Sequence, residues 1–208
     1  MIILKKYMVF FLGLVFSGIT LLIYFISYNG HLNFNCLQVF LSPIFLLFIP
    51  FLNKQGFKVP NFINYMILIH LVMTVNMGTC LNFYYIISFW DLIAHGYFGF
   101  LGSFIILIIL FNLDKVNLNR VSLYVAILLS VLGMAALWEI IEFSVDQFFG
   151  LDTQKVTESI EKGLSPIYDT MMDIIITIVG FITFFLLFYI DKMLKNRLVN
   201  YLKKFFEM

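Results

Sequence analysis

Six blocks of nearly unbroken apolar sequence decide what this chain can fold into. Each approaches the roughly 20 residues that a helix needs to cross about 30 Å of hydrocarbon. They run over 7–28, 34–52, 61–81, 91–111, 121–143 and 167–190. A soluble helix keeps one wet face by spacing its apolar residues in a stripe; here Phe, Leu and Ile fill whole turns, so lipid is the solvent the blocks suit. Composition agrees, with 62% hydrophobic and 12% charged residues against roughly half and a quarter in soluble domains. The expected fold is all-α, one polytopic membrane domain over 1–208 with six spanning helices and the bilayer as its first partner.

The first block follows Lys5 and Lys6 but is longer than a signal-peptide core of roughly 7–15 residues and lacks a small-residue cleavage site, so it reads as a retained helix. The turn Asn29-Gly30-His31 ends it. Pro43 and Pro50 fall in the second block, where neighbouring helices can re-satisfy the carbonyls that proline frees. The polar run Asn53 to Pro60 separates the second and third blocks, Asn112 to Arg120 the fourth and fifth, and a 144–165 loop the fifth and sixth. Lys192 to Lys204 form a basic tail.

Charge sets orientation. Lys5, Lys6, Lys54, Lys58, Lys115, Arg120, Lys192, Lys195, Arg197, Lys203 and Lys204 share one side, and only Lys155 and Lys162 the other. The positive-inside rule then puts both termini on the cytoplasmic side of an inner or plasma membrane. A net charge of +1 provides no basic surface for nucleic acid, which is excluded as a partner. Cys36 and Cys80 lack metal or redox spacing and read as small apolar residues, although both fall near outer helix ends, where one bridge is conceivable.

The acids are less ordinary. Asp91, Glu139, Glu142, Asp146, Asp169 and Asp173 all fall at the outer boundary, together with His95. Asp91 and His95 are four apart, as are Asp169 and Asp173, and Glu139, Glu142 and Asp146 are spaced three then four, so each set shares a helix face if the fifth helix reaches Asp146. Turned to lipid, each charge costs on the order of 3 kcal/mol, so the stripes should converge between helices. With no Lys or Arg adjacent in sequence, the carboxylates must share protons or a cation. Asp91 and Asp169 can also be read as first-turn residues favoured by the helix dipole; acids at the C-terminal end of the fifth helix oppose the dipole and need another reason.

Other polar residues read more plainly. His70 suits a hydrogen-bonded interior histidine, Asn76 and Asn82 suit interhelical bonds or a cavity wall, and Trp90 and Trp138 suit the interfacial aromatic belt. Gly96, Gly99 and Gly102, three apart, suit close approach of a neighbouring helix.

The motifs D-x-x-x-H-G-Y-x-G-F at Asp91 to Phe100, A-x-W-E-I-I-E-F at Ala136 to Phe143, G-L-D-T-Q at Gly150 to Gln154 and Y-D-T-M-M-D at Tyr168 to Asp173 resemble the YjdF-like group of small bacterial membrane proteins. More distantly, they resemble the VanZ-like proteins. The resemblance covers about Trp90 to Gly180 and implies a multi-pass protein whose polar motif residues are these acids and His95; it implies no reaction. The chain departs from the pattern in the insert Lys155 to Pro166 and in Leu92, where the group commonly carries a Lys that can act as counter-ion to the acids.

The expected site is an outward-facing divalent-cation site of Asp91, His95, Glu139, Glu142, Asp169 and Asp173, with Asp146 at its mouth. Carboxylates with one imidazole suit zinc, manganese or magnesium without choosing among them. An enzyme built on it would act on a lipid-linked or cell-envelope substrate; no nucleophile motif, Walker loop or H-E-x-x-H is present. A cation- or proton-coupled transporter and a purely structural role are the alternatives, and the oligomeric state stays open.

Overall fold

A computed structural model describes residues 2–28, 33–113 and 119–206, with side chains from Tyr7 onward. The turn at Asn29-Gly30-His31 and the segment 114–118, with Lys115, lie outside the described residues. Every described element is a helix. Six of them, Tyr7–Ser27, Phe34–Lys54, Asn61–Cys80, Trp90–Asn112, Arg120–Phe149 and Tyr168–Met193, are long and apolar enough to cross a membrane. At 1.5 Å per residue, the 23 residues of Trp90–Asn112 extend about 34 Å, enough for the hydrocarbon layer.

The chain divides into two compact units, 1–94 and 95–208. In the first, α1 (Ile2–Ser27) packs against a second span made of α2 (Phe34–Leu41), a 3₁₀ segment (Ser42–Leu47) and α3 (Phe48–Lys54). Pro43 enters at the start of the 3₁₀ segment, where its missing N–H and fixed φ favour a tighter turn over continued α-helix. The third span starts as α4 (Asn61–Leu71) and widens into a π-helix, Val72–Cys80, from which Leu81 N–H bonds to the Asn76 carbonyl five residues back. The short α5 (Phe83–Ile86) follows. Polar groups bond across this core: Ser17 Oγ donates to the Val39 carbonyl at 2.9 Å and Asn76 Nδ2 to Thr20 Oγ1 at 3.0 Å. Asn82 Nδ2 donates to the Tyr28 hydroxyl at 2.8 Å. Asn76 and Asn82 thus serve as interhelical bonds. Trp90 Nε1 donates to the Met73 carbonyl at 3.1 Å, an anchor within the unit.

The division falls inside α6 (Trp90–Asn112), after Ala94. The second unit packs α6 with α7 (Arg120–Phe149) and α9 (Tyr168–Met193), adding the short α8 (Val156–Glu161) and α10 (Arg197–Phe206). Phe104 meets Phe184 edge to face at 4.9 Å, and Tyr124 meets Phe185 at 4.9 Å. Glycine brings α6 and α9 closer than side chains would permit. A Cβ on Gly99 would collide with the Thr177 carbonyl, and one on Gly180 with the Gly96 carbonyl. Gly102 of the same α6 series faces Val131 and Met134 of α7.

Polar side chains are buried beside the apolar core while many large apolar ones face outward. His95, Ser103, Glu139, Asp173 and Thr177 are buried, while Val121, Val125, Leu129, Leu137 and Ile141 of α7 are exposed. That is the arrangement a lipid surround selects, since lipid cannot satisfy polar groups.

Two sequence boundaries need correction. α7 runs to Phe149, two turns past 143, and ends where Gly150 takes the left-handed conformation with φ 64°. The 144–165 stretch is therefore mostly helix at its start, and it contains α8. The basic tail is also structured: α10 puts Leu198, Val199, Leu202, Phe205 and Phe206 on one face and Arg197, Asn200 and Lys204 on the other. Leu202 is buried and Phe206 meets Phe111 of α6 edge on. Asp191, at the end of α9, accepts from Leu198 N–H at 2.9 Å and Val199 N–H at 3.1 Å, capping α10.

Candidate functional site

Asp91 occupies the first turn of α6 and His95 the second, on one face. Across the glycine seam, α9 presents Asp173 and, one turn on, Thr177. Asp173 is 1% exposed and His95 9%, and His95 Nε2 lies 3.5 Å from Asp173 Oδ2. Thr177 Oγ1 donates to the His95 carbonyl at 3.5 Å. Asp91, His95 and Asp173 each offer one ligand atom, all within 4.8 Å of one another. Among the described residues, these three are the His, Cys, Asp and Glu side chains gathered closely enough to share one cation.

The other four acids face a different task. α7 ends at Gly150, the chain reverses, and residues 153–155 return along the helix end they have just left. Asp146 accepts from Thr153 N–H at 2.7 Å, Thr153 Oγ1 at 2.6 Å and Gln154 N–H at 3.1 Å. The Thr153 hydroxyl is also 3.2 Å from the Glu142 carbonyl. Gln154 Nε2 reaches the Glu139 carbonyl and Oε2, each at 3.4 Å, and Thr170 Oγ1 on α9 at 3.1 Å. Lys155, held in the left-handed region at φ 47°, puts Nζ 3.3 Å from Asp169 Oδ1. Glu142 Oε1 accepts from Trp138 Nε1 at 2.8 Å. Three consecutive residues thus strap α7 to the start of α9, each engaging an acid of the stripes.

The acids at the end of α7 oppose its dipole; Asp146 has its reason in the strap, where three donors converge on one carboxylate. No Lys or Arg is adjacent to the acids in sequence, yet Lys155 reaches Asp169 in space. It is distant in sequence from Asp169 and comes to it only because the chain doubles back. It stands as counter-ion where Leu92 provides none. Sequence spacing does not reveal Thr153, Gln154, Lys155, Thr170 or Thr177 as site neighbours. The one available signal is the G-L-D-T-Q run, whose Gly150 marks the reversal and whose Asp152 caps α8 through Thr157 N–H at 3.1 Å. His70 is half-buried in the first unit and takes no part in this cluster.

Compared with known families, residues 8–193 match the model described as "Predicted membrane protein (DUF2238)". No curated protein and no solved structure matches the chain. The match covers all six spans, including every residue of the Asp91, His95 and Asp173 cluster and of the strap, and so the chain belongs to the DUF2238 family of predicted membrane proteins.

Proposed function

We propose that this protein binds a divalent cation through Asp91, His95 and Asp173 at the outer boundary of a bacterial plasma membrane, and uses it on a lipid-linked or cell-envelope substrate. The observation that carries the reading is the convergence of the three ligand atoms within 4.8 Å. Ligands about 2.1 Å from a tetrahedral ion lie about 3.4 Å apart, and His95 Nε2 and Asp173 Oδ2 are 3.5 Å apart. Two carboxylates and an imidazole suit zinc or manganese, with magnesium better served by oxygen alone. Three protein ligands leave a coordination position for substrate or water, and a bound cation there would polarise a phosphoryl or acyl oxygen. The chain's own part is to hold the ligands rigidly across the glycine seam, while the strap keeps Glu139 covered at the neighbouring helix end.

The outward orientation rests on the eleven-to-two partition of Lys and Arg, which favours both termini in the cytoplasm. The Asp91 to Phe100 and Tyr168 to Asp173 motifs support a closer kinship with the YjdF-like group. A transport role is disfavoured because α6 beyond His95 and α9 between Asp173 and Asp191 carry no further acid or histidine to relay a proton or cation.

The test is metal content and thermal stability of the detergent-purified protein, wild type beside Asp173→Asn. A stoichiometric metal that the variant lacks supports the reading. Metal-free protein that zinc, manganese and magnesium all fail to stabilise would overturn it and leave a proton-sharing His95–Asp173 pair.

A further inference from the structure

We propose that Cys36 and Cys80 form a structural disulfide joining the second and third spans at their outer ends. This inference rests on the outward orientation proposed above but not on the cation site. The cysteines are 44 positions apart in sequence, yet they belong to one buried cluster with Tyr24 and Val39, 5% and 0% exposed. Both are buried free thiols in this structure. Their neighbours tie the same two elements together, Asn35 Nδ2 donating to the Thr79 carbonyl at 3.3 Å. Asn33 caps α2 through Cys36 N–H at 3.2 Å and accepts from Cys36 Sγ at 3.4 Å, which fixes the first turn that carries the thiol. Cys80 closes the π-helix, whose wide turns set a face that continued α-helix would not present.

Thiols of one packed cluster reach disulfide geometry by side-chain rotation and small backbone adjustment, whereas Cα atoms more than about 7 Å apart cannot be bridged in place. Two thiols lose two protons and two electrons as one S–S bond forms. A disulfide-bearing oxidant of the oxidising exterior accepts them, its own S–S bond opening to two thiols. Both sulfurs are sealed in the packed core, so exchange takes place as the helices assemble and the bond thereafter resists reduction. Ordinary packing of two small apolar side chains is the competing account.

The test uses the full chain expressed in cells with an oxidising periplasm, alkylated at harvest, denatured and treated with a polyethylene-glycol maleimide before and after reduction. A sample of reduced, denatured protein returned to detergent with oxidised glutathione runs alongside. No label before reduction and two labels after it, in both samples, is the expected result. Two labels before reduction in both overturns the pairing. A bridge in the refolded sample alone overturns the outward placement of these helix ends. In a second measurement, Cys36→Ala, Cys80→Ala and the double variant should lower the melting temperature equally. Additive losses in the double variant overturn the proposal.

Discussion

Gly99 of α6 lies directly against the Thr177 carbonyl of α9, one helical turn beyond the level at which His95 faces Asp173. The glycine contact sets the helix separation, and the separation sets the 3.5 Å between imidazole and carboxylate. A methyl group there must push the helices apart or tilt them, because the obstacle is backbone and not the end of a flexible side chain. Gly99→Ala should lower stability by about 1–3 kcal/mol, the usual cost of overpacking, and weaken any cation bound by His95 and Asp173. Gly133 on α7 is the control, since a Cβ there meets nothing within 4 Å. Gly133→Ala should be neutral or stabilising by up to about 1 kcal/mol. Thermal denaturation of both variants in one detergent checks the pair.

The seven candidate ligands separate into two groups that mutation can distinguish. Asp91→Asn, His95→Ala and Asp173→Asn should each weaken metal binding by more than about 100-fold, beyond the roughly 10–100-fold loss typical of residues standing behind ligands. Glu142→Gln and Asp146→Asn should leave stoichiometry unchanged, because Glu142 is engaged by Trp138 and Asp146 by the strap. Titration calorimetry with zinc and manganese would read both sets. Equal losses in all five would restore the larger ligand set.

Asp146→Ala removes the acceptor of three strap donors. Hydrogen bonds to a charged group contribute about 1.5–3 kcal/mol each when well shielded, and this carboxylate is only half-buried, so the expected total loss is about 1–3 kcal/mol. Hydrogen exchange should accelerate at the Thr153 and Gln154 amides. Protection in the buried middle of α9 should stay as it was.

Asp191→Ala uncaps α10. Loss of a capping side chain costs about 0.5–2 kcal/mol, enough to fray a helix of ten residues held by one apolar face. Exchange over 197–206 should speed up while the six spans keep their protection. Asp191→Asn, which retains a capping oxygen, should recover most of the difference.

What could be read in the sequence and what could not differ in physical kind. Span number and approximate limits were legible because transfer to lipid depends on local composition, and twenty apolar residues in a row bear one reading. The face that Asp91 shares with His95 was legible because helical periodicity is local. α10 was obscured by its charges: Arg197, Lys203 and Lys204 read as a tail, although Leu198, Leu202 and Phe206 recur at helical spacing beneath them. The division among the acids was not legible at all. Whether Asp173 meets His95 or Asp169 meets Lys155 depends on how closely two helices pack and where the chain reverses at Gly150. Those are set by long-range contacts, a backbone-to-backbone seam in one case and a returning loop in the other. The sequence by itself determined the solvent, the helices and the residues rich in chemistry; the tertiary structure alone decided which of them meet, because proximity between distant residues is a property of packing and not of spacing.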